Sequence, residues 1–403
     1  MSQVLSRPRT RRLGALLAVG GLALTGLTAC ASSKSSSAAG SSGSTGGSGG
    51  STAAAAATPC PAPGAAAPTD APKADGSGGQ VTIYSADGLY DTKDDNNWYN
   101  QEFKKFTALT GIHVNYTEDG SGGVETRVDQ EKSNPKADVI VTLPPFIQKA
   151  EASGLLQPYS PACVDKVDPS LVDKNGQWEA VMGNYLSFIY NTKQLPDGPP
   201  KTWNDLLDPK FAKKLQYSTP GVAGDGTAVM IKAIHDFGGD RNAAWDYFKK
   251  LQSNNVGPSK STGALESKVN TGDLWVANGD VQMNYVDSKT QYPNNKIFFP
   301  AGADGKPTTF SLPYMAGLVK GAPHADNGKK LIDFLLSEQA QLDTSKIAYG
   351  FPARTDIKPT DENYTALSQL MQDVTVFPVD WNDVAKNYNS DIKAWDAATG
   401  TPS

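Results

Sequence analysis

Residues 120–123, Gly-Ser-Gly-Gly, combine the residue types that favour anion binding. They stand directly before a segment of helical periodicity, and the N–H groups and dipole at a helix start both favour negative charge. Glycine lets the backbone approach an anion closely. Ser121, Gly122 and Gly123 are therefore candidate ligand contacts, although an ordinary tight turn would also account for this motif alone.

A second stretch, residues 218–227 (STPGVAGDGT), has the same character. It follows a predicted strand and opens a predicted helix, so Ser218, Thr219, Gly226 and Thr227 are candidate contacts. Helix capping is the alternative role for Thr227, because threonine commonly accepts a hydrogen bond from the first turn. If the two stretches faced each other across a cleft, they could hold one anion together.

Further candidates lie where predicted strands end, because open α/β sheets bind ligands at the carboxyl ends of their strands. Thr142 ends the third predicted strand, and Ser85, Ala86 and Asp87 follow the first. These positions require an alternation of strands and helices around mainly parallel sheets, which we expect from the pattern of apolar residues. The predicted strands are 81–85, 112–116, 137–143, 186–191 and 281–286.

Helical periodicity marks the intervening segments. One helix face carries Tyr99, Phe103, Phe106 and Leu109, and the next helix carries Val124 and Val128. Two short helices are expected around Pro209 within 201–215, then helices at 227–237, 244–251 and 329–342. The inward residues of the last one are Leu331, Ile332, Leu335 and Leu342.

Patterns for catalysis, metal binding or nucleic-acid binding are absent from the sequence. His113, His235 and His324 are widely separated and lie in no ligand-spaced motif. No nucleophile elbow, Walker loop or dinucleotide fingerprint occurs. The net charge of −5 comes with no basic stripe, which argues against a nucleic-acid partner. We therefore expect a protein that is not an enzyme and that holds no cofactor or metal.

The first 79 residues have the composition of an export and anchoring region. Arg7, Arg9, Arg11 and Arg12 precede an apolar run of about 15 residues, too short for a permanent membrane span. The sequence LTAC at 27–30 resembles the bacterial lipobox, which implies cleavage after residue 29 and lipidation of Cys30. Export by the general or the twin-arginine route stays open.

Residues 30–79, rich in Ser, Gly, Ala, Thr and Pro, are predicted to form a disordered tether spanning on the order of 40 Å. The remaining cysteines, Cys60 and Cys163, form either a disulfide or two free thiols.

Two long segments resemble the type II periplasmic binding proteins: LSFIYNTKQLPDGPPKTWNDLLDPKFAKKL and LPYMAGLVKGAPHADNGKKLIDFLLSEQAQ. The likeness implies two α/β lobes joined by a hinge, with a ligand cleft between them. We expect lobe 1 to comprise 80–184 and 313–349, and lobe 2 to comprise 185–312 and 350–403. The resemblance also implies a monomer that lies on the outer face of the cytoplasmic membrane and serves an ABC permease.

The stretches SADGLYD, WYNQEFKKFTALTGIHVNYTEDGSGG and EKSNPKADVIVTLPPFIQKA are more similar to the binding components of 2-aminoethylphosphonate importers. Such a ligand also needs an acceptor for its ammonium group, for which Asp87 and Asp287 are candidates. Tyr90 and Tyr285, with Trp98, could add hydroxyl or cation–π contacts. Arg127 either reaches the anion or forms an ion pair.

Other ligands and one other activity remain open at this point. Phosphate esters, polyamines and ferric ion are alternative solutes. The ferric-binding relatives use two adjacent tyrosines near the position of Tyr285, whereas Val286 follows Tyr285 here. A secreted hydrolase of phosphonates or phosphate esters is the alternative from another class.

Overall fold

Two β-sheets of four or five strands, each with its own helices, organise the described part of the chain, and a third sheet has only two strands. The computed structural model describes residues 60, 78–86, 88–90, 97–302 and 305–401. Cys30, Asp87, the leader at 1–29 and nearly all of the tether at 30–79 lie outside the described residues. Among the described helices, none combines the length and the apolar character that crossing a bilayer requires.

The strands are β1 (Gln80–Ala86), β2 (His113–Asp119), β3 (Val139–Thr142), β4 (Glu179–Met182), β5 (Leu186–Asn191), β6 (Leu215–Gln216), β7 (Val276–Asp280), β8 (Asn295–Phe298), β9 (Thr308–Thr309), β10 (Tyr314–Leu318) and β11 (Thr375–Val376). The helices are α1 (Trp98–Thr110), α2 (Ser121–Glu131), α3 (Phe146–Ala152), α4 (Gly224–Asp236), α5 (Arg241–Leu251), α6 (Gly263–Thr271), α7 (Val281–Thr290), α8 (Ala325–Leu335), α9 (Glu338–Lys346), α10 (Glu362–Met371) and α11 (Trp381–Thr399).

The first sheet, with strand order β2-β1-β3-β10-β4, forms the centre of what we call lobe 1. β1 runs parallel to β2 and to β3, so the predicted βαβαβ order is confirmed. β10 is inserted antiparallel between β3 and β4. The expectation of mainly parallel sheets is wrong, because this late strand returns in the opposite direction.

Helix α1 illustrates how the sequence sets an element. Asn97 accepts a hydrogen bond from the Tyr99 N–H at 3.2 Å, and Gly111 ends the helix with φ of 69°, a conformation that favours glycine. Tyr99, Phe103 and Phe106 are buried as predicted, but Leu109 is 39% exposed. Leu109 lies in the last turn of the helix.

The second sheet, with order β6-β7-β5-β8, forms the centre of lobe 2. β6 is parallel to β7, whereas β5 is antiparallel to both β7 and β8. The strand predicted at 281–286 is wrong: the strand is β7, and the chain turns into helix α7 at Val281. The carboxylate of Asp280 accepts a hydrogen bond from the Met283 N–H at 2.7 Å and starts this helix.

The single helix predicted at 329–342 is in fact two. Helix α8 ends at Leu335, and Ser337 caps a new helix by accepting from the Ala340 N–H. Leu331, Ile332 and Leu335 are buried, but Leu342, on the second helix, is only half-buried. By contrast, the short helices predicted around Pro209 are confirmed as 3₁₀ turns at Asn204–Leu207 and Pro209–Phe211.

The largest apolar core joins residues of both lobes, among them Ile83 of β1 and Val276 of β7. Cys60 and Cys163 form a disulfide across a sequence separation of 103. Of the two alternatives left open by the sequence, the structure therefore has the disulfide, which connects the tether region to the body of lobe 1.

Candidate functional site

The carboxyl ends of β1, β2 and β3 lie side by side at one edge of lobe 1. Ala86 pairs in register with Asp119, and Ser85 pairs with Val141, one residue before Thr142. The Thr142 hydroxyl donates to the Ser121 carbonyl at 3.0 Å. This bond fixes the first turn of α2 over the strand ends, where parallel sheets place ligands.

A matching edge exists in lobe 2, where the parallel strands β6 and β7 end together. The Ser218 N–H donates to Asn278 Oδ1 at 2.8 Å. A Cβ atom added at Gly226 would lie 2.2 Å from the Ser218 carbonyl oxygen, so only glycine allows α4 to start this close to the strand. Thr227 Oγ1 accepts from the Gly221 N–H at 3.0 Å and holds the loop closed.

The two glycine-rich stretches meet across the lobes in what we call the glycine seam, formed by residues 120–122 and 221–224. A Cβ atom added at Gly122 would lie 3.3 Å from the carbonyl oxygens of Gly221 and Val222. One added at Gly224 would lie 2.7 Å from Ser121 Oγ. The starts of α2 and α4, one from each lobe, therefore face each other at contact distance.

Neither of these helices has a side-chain N-cap: Gly120 precedes α2 and Ala223 precedes α4, and neither provides a cap hydrogen bond. The first N–H groups of a helix have no partner within the helix, and its dipole is positive at that end. Carboxylates lie close to both starts: Asp119 Oδ1 accepts from the Gly120 N–H at 2.8 Å, and Asp225 lies in the first turn of α4. The remaining N–H groups at the two helix starts can donate to an anion at the glycine seam.

A second contact between the lobes joins the end of β1 to the start of α7. Gly88, with φ of 100°, accepts a hydrogen bond through its carbonyl from Gln282 Nε2 at 3.4 Å. Asn184 Oδ1 accepts from the Gln282 N–H at 3.1 Å and orients the first turn of α7. We call this contact the α7 junction, defined by Gly88, Asn184, Asp280 and Gln282.

Several polar atoms at this junction are buried without a partner at hydrogen-bond distance among the described residues: the acceptors Asp280 Oδ2 and Gln282 Oε1 and the donors Asn184 Nδ2 and, at the start of α1, Trp98 Nε1. Burial raises the pKa of Asp280 to about 6, although the nearby Asn184 side chain works in the opposite direction. Buried polar atoms normally have partners, so the unpaired ones at this contact between the lobes are candidate ligand contacts. Asp280 and Gln282 were not identified from the sequence, because 281–286 was assigned to a strand.

Other predicted contacts are engaged within their own lobe. Ser85 Oγ donates to the Ala86 carbonyl at 3.1 Å, and the Tyr90 ring lies 4.3 Å from that of Tyr116. Thr219 Oγ1 accepts from the Ser259 N–H at 3.0 Å. Since these side chains already have partners, their main effect is to shape the loops around the seam.

Four more candidates make contacts that do not face the glycine seam. The Tyr285 ring packs 5.9 Å from Tyr349, and the Asp287 carboxyl approaches that of Glu266. Gly123 faces the carboxylate of Asp119, 2.5 Å from an added Cβ. Arg127 lies 4.4 Å over the Tyr84 ring and pairs with Glu131 at 3.3 Å, so of its two predicted roles it has the ion pair.

The described part of the chain contains no group of three or more histidine, cysteine or carboxylate side chains placed to hold a metal ion. His235 stacks on Phe377 at 3.4 Å. His324 Nδ1 lies 3.1 Å from Asp138 Oδ2. Both rings have structural contacts outside the junction and the seam.

Comparison with known proteins assigns the family. Residues 134–387 match the model of the bacterial extracellular solute-binding proteins, and the chain belongs to this family. A periplasmic protein of Salmonella typhimurium strain LT2, assigned by inference to 2-aminoethylphosphonate binding, is 48% identical over 319 residues, covering 79% of this chain and 92% of the relative. Iron uptake protein A1 of Synechocystis is 25% identical, covering 76% of this chain and 85% of that protein.

Solved structures support the same fold. The periplasmic binding protein AfuA of Actinobacillus pleuropneumoniae, solved with fructose-6-phosphate, superimposes with a TM-score of 0.68 at 22% identity, covering 80% of this chain and 99% of AfuA. The apo ferric ion-binding protein A of Pasteurella haemolytica superimposes with a TM-score of 0.64 at 20% identity, covering 79% of this chain and 97% of that protein. The fold is that of the type II periplasmic binding proteins. The protein is thus an exported solute-binding protein of the ABC importer type, and the relatives are binding proteins rather than enzymes.

Proposed function

We propose that this protein captures 2-aminoethylphosphonate between its two lobes and delivers it to an ABC permease while anchored to the membrane through a lipid on Cys30. The observation that carries the ligand class is the glycine seam, where two uncapped helix starts face each other. The 48% identity to the Salmonella protein supports the particular ligand.

In this proposal the phosphonate oxygens accept hydrogen bonds from the first N–H groups of α2 and α4, with the Ser121 hydroxyl beside them. An anion bound there is shared by both lobes, so its binding stabilises the closed form. Thr142 acts indirectly, because its bond to the Ser121 carbonyl holds the first turn of α2 in place.

Isothermal titration calorimetry with 2-aminoethylphosphonate, phosphate, a sugar phosphate, a polyamine and ferric citrate tests the ligand. We expect 2-aminoethylphosphonate to bind most tightly. At a hundredfold excess over its dissociation constant it should stabilise the fold by about 2.7 kcal/mol in thermal unfolding. Tighter binding of any other solute would replace the proposed ligand.

Substitution tests the site. Ser121→Ala and Thr219→Ala should each weaken binding without unfolding the protein, and unchanged affinity in both would reject the site assignment. Incubating the purified protein with ligand and measuring phosphate release tests the alternative of a hydrolase, for which we expect no turnover.

The anchor is tested separately in cells. Cys30→Ser should release the protein from the membrane fraction and abolish incorporation of a labelled fatty acid, because it removes the thiol that would carry the lipid. The purified Cys30→Ser protein should still bind ligand. If the variant stayed in the membrane fraction, the proposed lipid anchor would be wrong.

A further inference from the structure

We propose that Asp280 and Gln282, at the start of α7, form the subsite that binds the primary ammonium group of the solute. This inference rests on the proposed function, because it assigns the second pole of a zwitterionic ligand whose anionic pole lies at the glycine seam. Neither residue is among those that the sequence singled out.

The α7 junction holds two buried acceptors without partners among the described residues, on Asp280 and Gln282, and one such donor, Asn184 Nδ2. Asp280 is 1% exposed, and Gln282 is 3% exposed. Asp280 uses Oδ1 to cap Met283, and Gln282 uses Nε2 to reach the Gly88 carbonyl. This leaves Asp280 Oδ2 and Gln282 Oε1 without partners among the described residues. An ammonium group has three donors and no acceptor, so it complements two free acceptors directly.

Charge points to a cation at the same place. Behind the junction, Glu266 is 2% exposed and its carboxyl approaches that of Asp287. No lysine or arginine of the described ranges forms an ion pair with Asp280, Glu266 or Asp287. A buried carboxylate without a counter-ion is costly; burial raises the pKa of Glu266 well above its usual range, so its proton removes that cost, and at Asp280 a ligand cation would do so.

The N-cap explains why the start of α7 can accept a cation although helix starts are positive. The Asp280 carboxylate caps α7 and offsets its dipole, whereas α2 and α4 have no side-chain N-cap, although Asp225 lies in the first turn of α4. The three helix starts therefore differ in their caps, since only α7 has a carboxylate N-cap. The uncapped pair attracts the anionic group, and the capped one attracts the ammonium group.

The sheet places these two poles side by side. β6 and β7 are parallel neighbours, so α4 and α7, which follow them, begin at the same edge of lobe 2. Asn278, two residues before Asp280, binds Ser218 at the base of the α4 loop. A short zwitterion can therefore contact both helix starts, and the lobes close on it at the seam and at Gly88.

Calorimetry with 2-aminoethylphosphonate and with ethylphosphonate, which lacks the amine, tests the inference. Asp280→Asn keeps a capping oxygen but removes the charge, and Gln282→Met removes the acceptor at similar size. We expect each substitution to weaken 2-aminoethylphosphonate binding, about 10- to 100-fold for Asp280→Asn, and to leave ethylphosphonate affinity within about threefold. Gln282→Met provides the test should Asp280→Asn fail to fold.

Asp240→Asn is the matched control. Asp240 caps α5 by accepting from the Ala243 N–H at 3.1 Å, the same arrangement as Asp280 with Met283, but it is exposed on another helix. Asp240→Asn should change neither the affinity for 2-aminoethylphosphonate nor that for ethylphosphonate. Suppose that the wild-type protein binds 2-aminoethylphosphonate. If the substitutions at the junction then weaken the binding of both phosphonates equally, or weaken the binding of neither, the inference is overturned and the proposed function stands. If the wild-type protein binds neither phosphonate, the proposed function itself is overturned.

Discussion

Gly224→Ala tests whether the glycine seam closes on the ligand. The added methyl group would lie 2.7 Å from Ser121 Oγ and 2.9 Å from Leu143 Cδ1, both in the opposite lobe. Ordinary contacts begin near 3.4 Å. A serine hydroxyl can rotate away, but the leucine methyl group is buried and cannot move freely. The substitution therefore opposes approach of the lobes.

The magnitude follows from the cost of overpacking, which is about 1–3 kcal/mol for an added methyl group in a tight contact. If the bound form requires the closed seam, the dissociation constant should rise about 5- to 150-fold. Stability of the separate lobes should not fall, because Gly224 does not have a positive φ and alanine favours a helix more than glycine does.

Gly263→Ala is the matched control for this experiment. Gly263 is likewise the first residue of its helix, α6, and an added Cβ would lie 3.7 Å from the Met283 sulfur, an ordinary contact. We expect calorimetry to give near wild-type affinity for Gly263→Ala and a clear loss for Gly224→Ala. Unchanged affinity in Gly224→Ala, or equal loss in both, would refute the closed seam as the bound form.

Three further predictions concern stability, each measured by urea or thermal unfolding. Burial raises the pKa of Glu102 to about 7, so the folded state keeps its proton longer than the unfolded state; stability should fall by up to about 3 kcal/mol as the pH rises from 5 to 8. Glu102→Gln should flatten that decline, and an unchanged slope would contradict the assignment. Lys232→Met leaves the buried Asp236 carboxylate without its cation and should cost about 3–5 kcal/mol; a loss below about 1 kcal/mol would count against it. Cys163→Ser opens a loop of 103 residues and should cost up to about 5 kcal/mol with unchanged ligand affinity, whereas an unchanged melting temperature would argue against that disulfide.

Much of the site could be predicted from the sequence because its elements are local. The glycine-rich stretches at 120–123 and 218–227 stand directly before helices, and helix starts depend on a few neighbouring residues. The strand ends at Ala86 and Thr142 followed from short apolar runs. These features placed candidate anion contacts in each lobe before any contact between the lobes was known.

The junction at α7 could not be predicted, because its strand is polar. β7 contains Asn278 and Asp280, yet all of its residues are buried. The Asn278 amide is satisfied by Ser218, 60 residues earlier, and such a partner is invisible to a local pattern. The alternation of Val281, Met283 and Tyr285 imitated a strand instead.

The sequence by itself determined the order of strands and helices in lobe 1, the glycine-rich helix starts and the family. Tertiary structure decided that Gly122 and Gly224 face the opposite lobe, that β10 returns antiparallel between β3 and β4, and that Gln282 meets Gly88. The physical reason is range: periodicity and capping act over a few residues, whereas these contacts join segments about 100 to 200 residues apart.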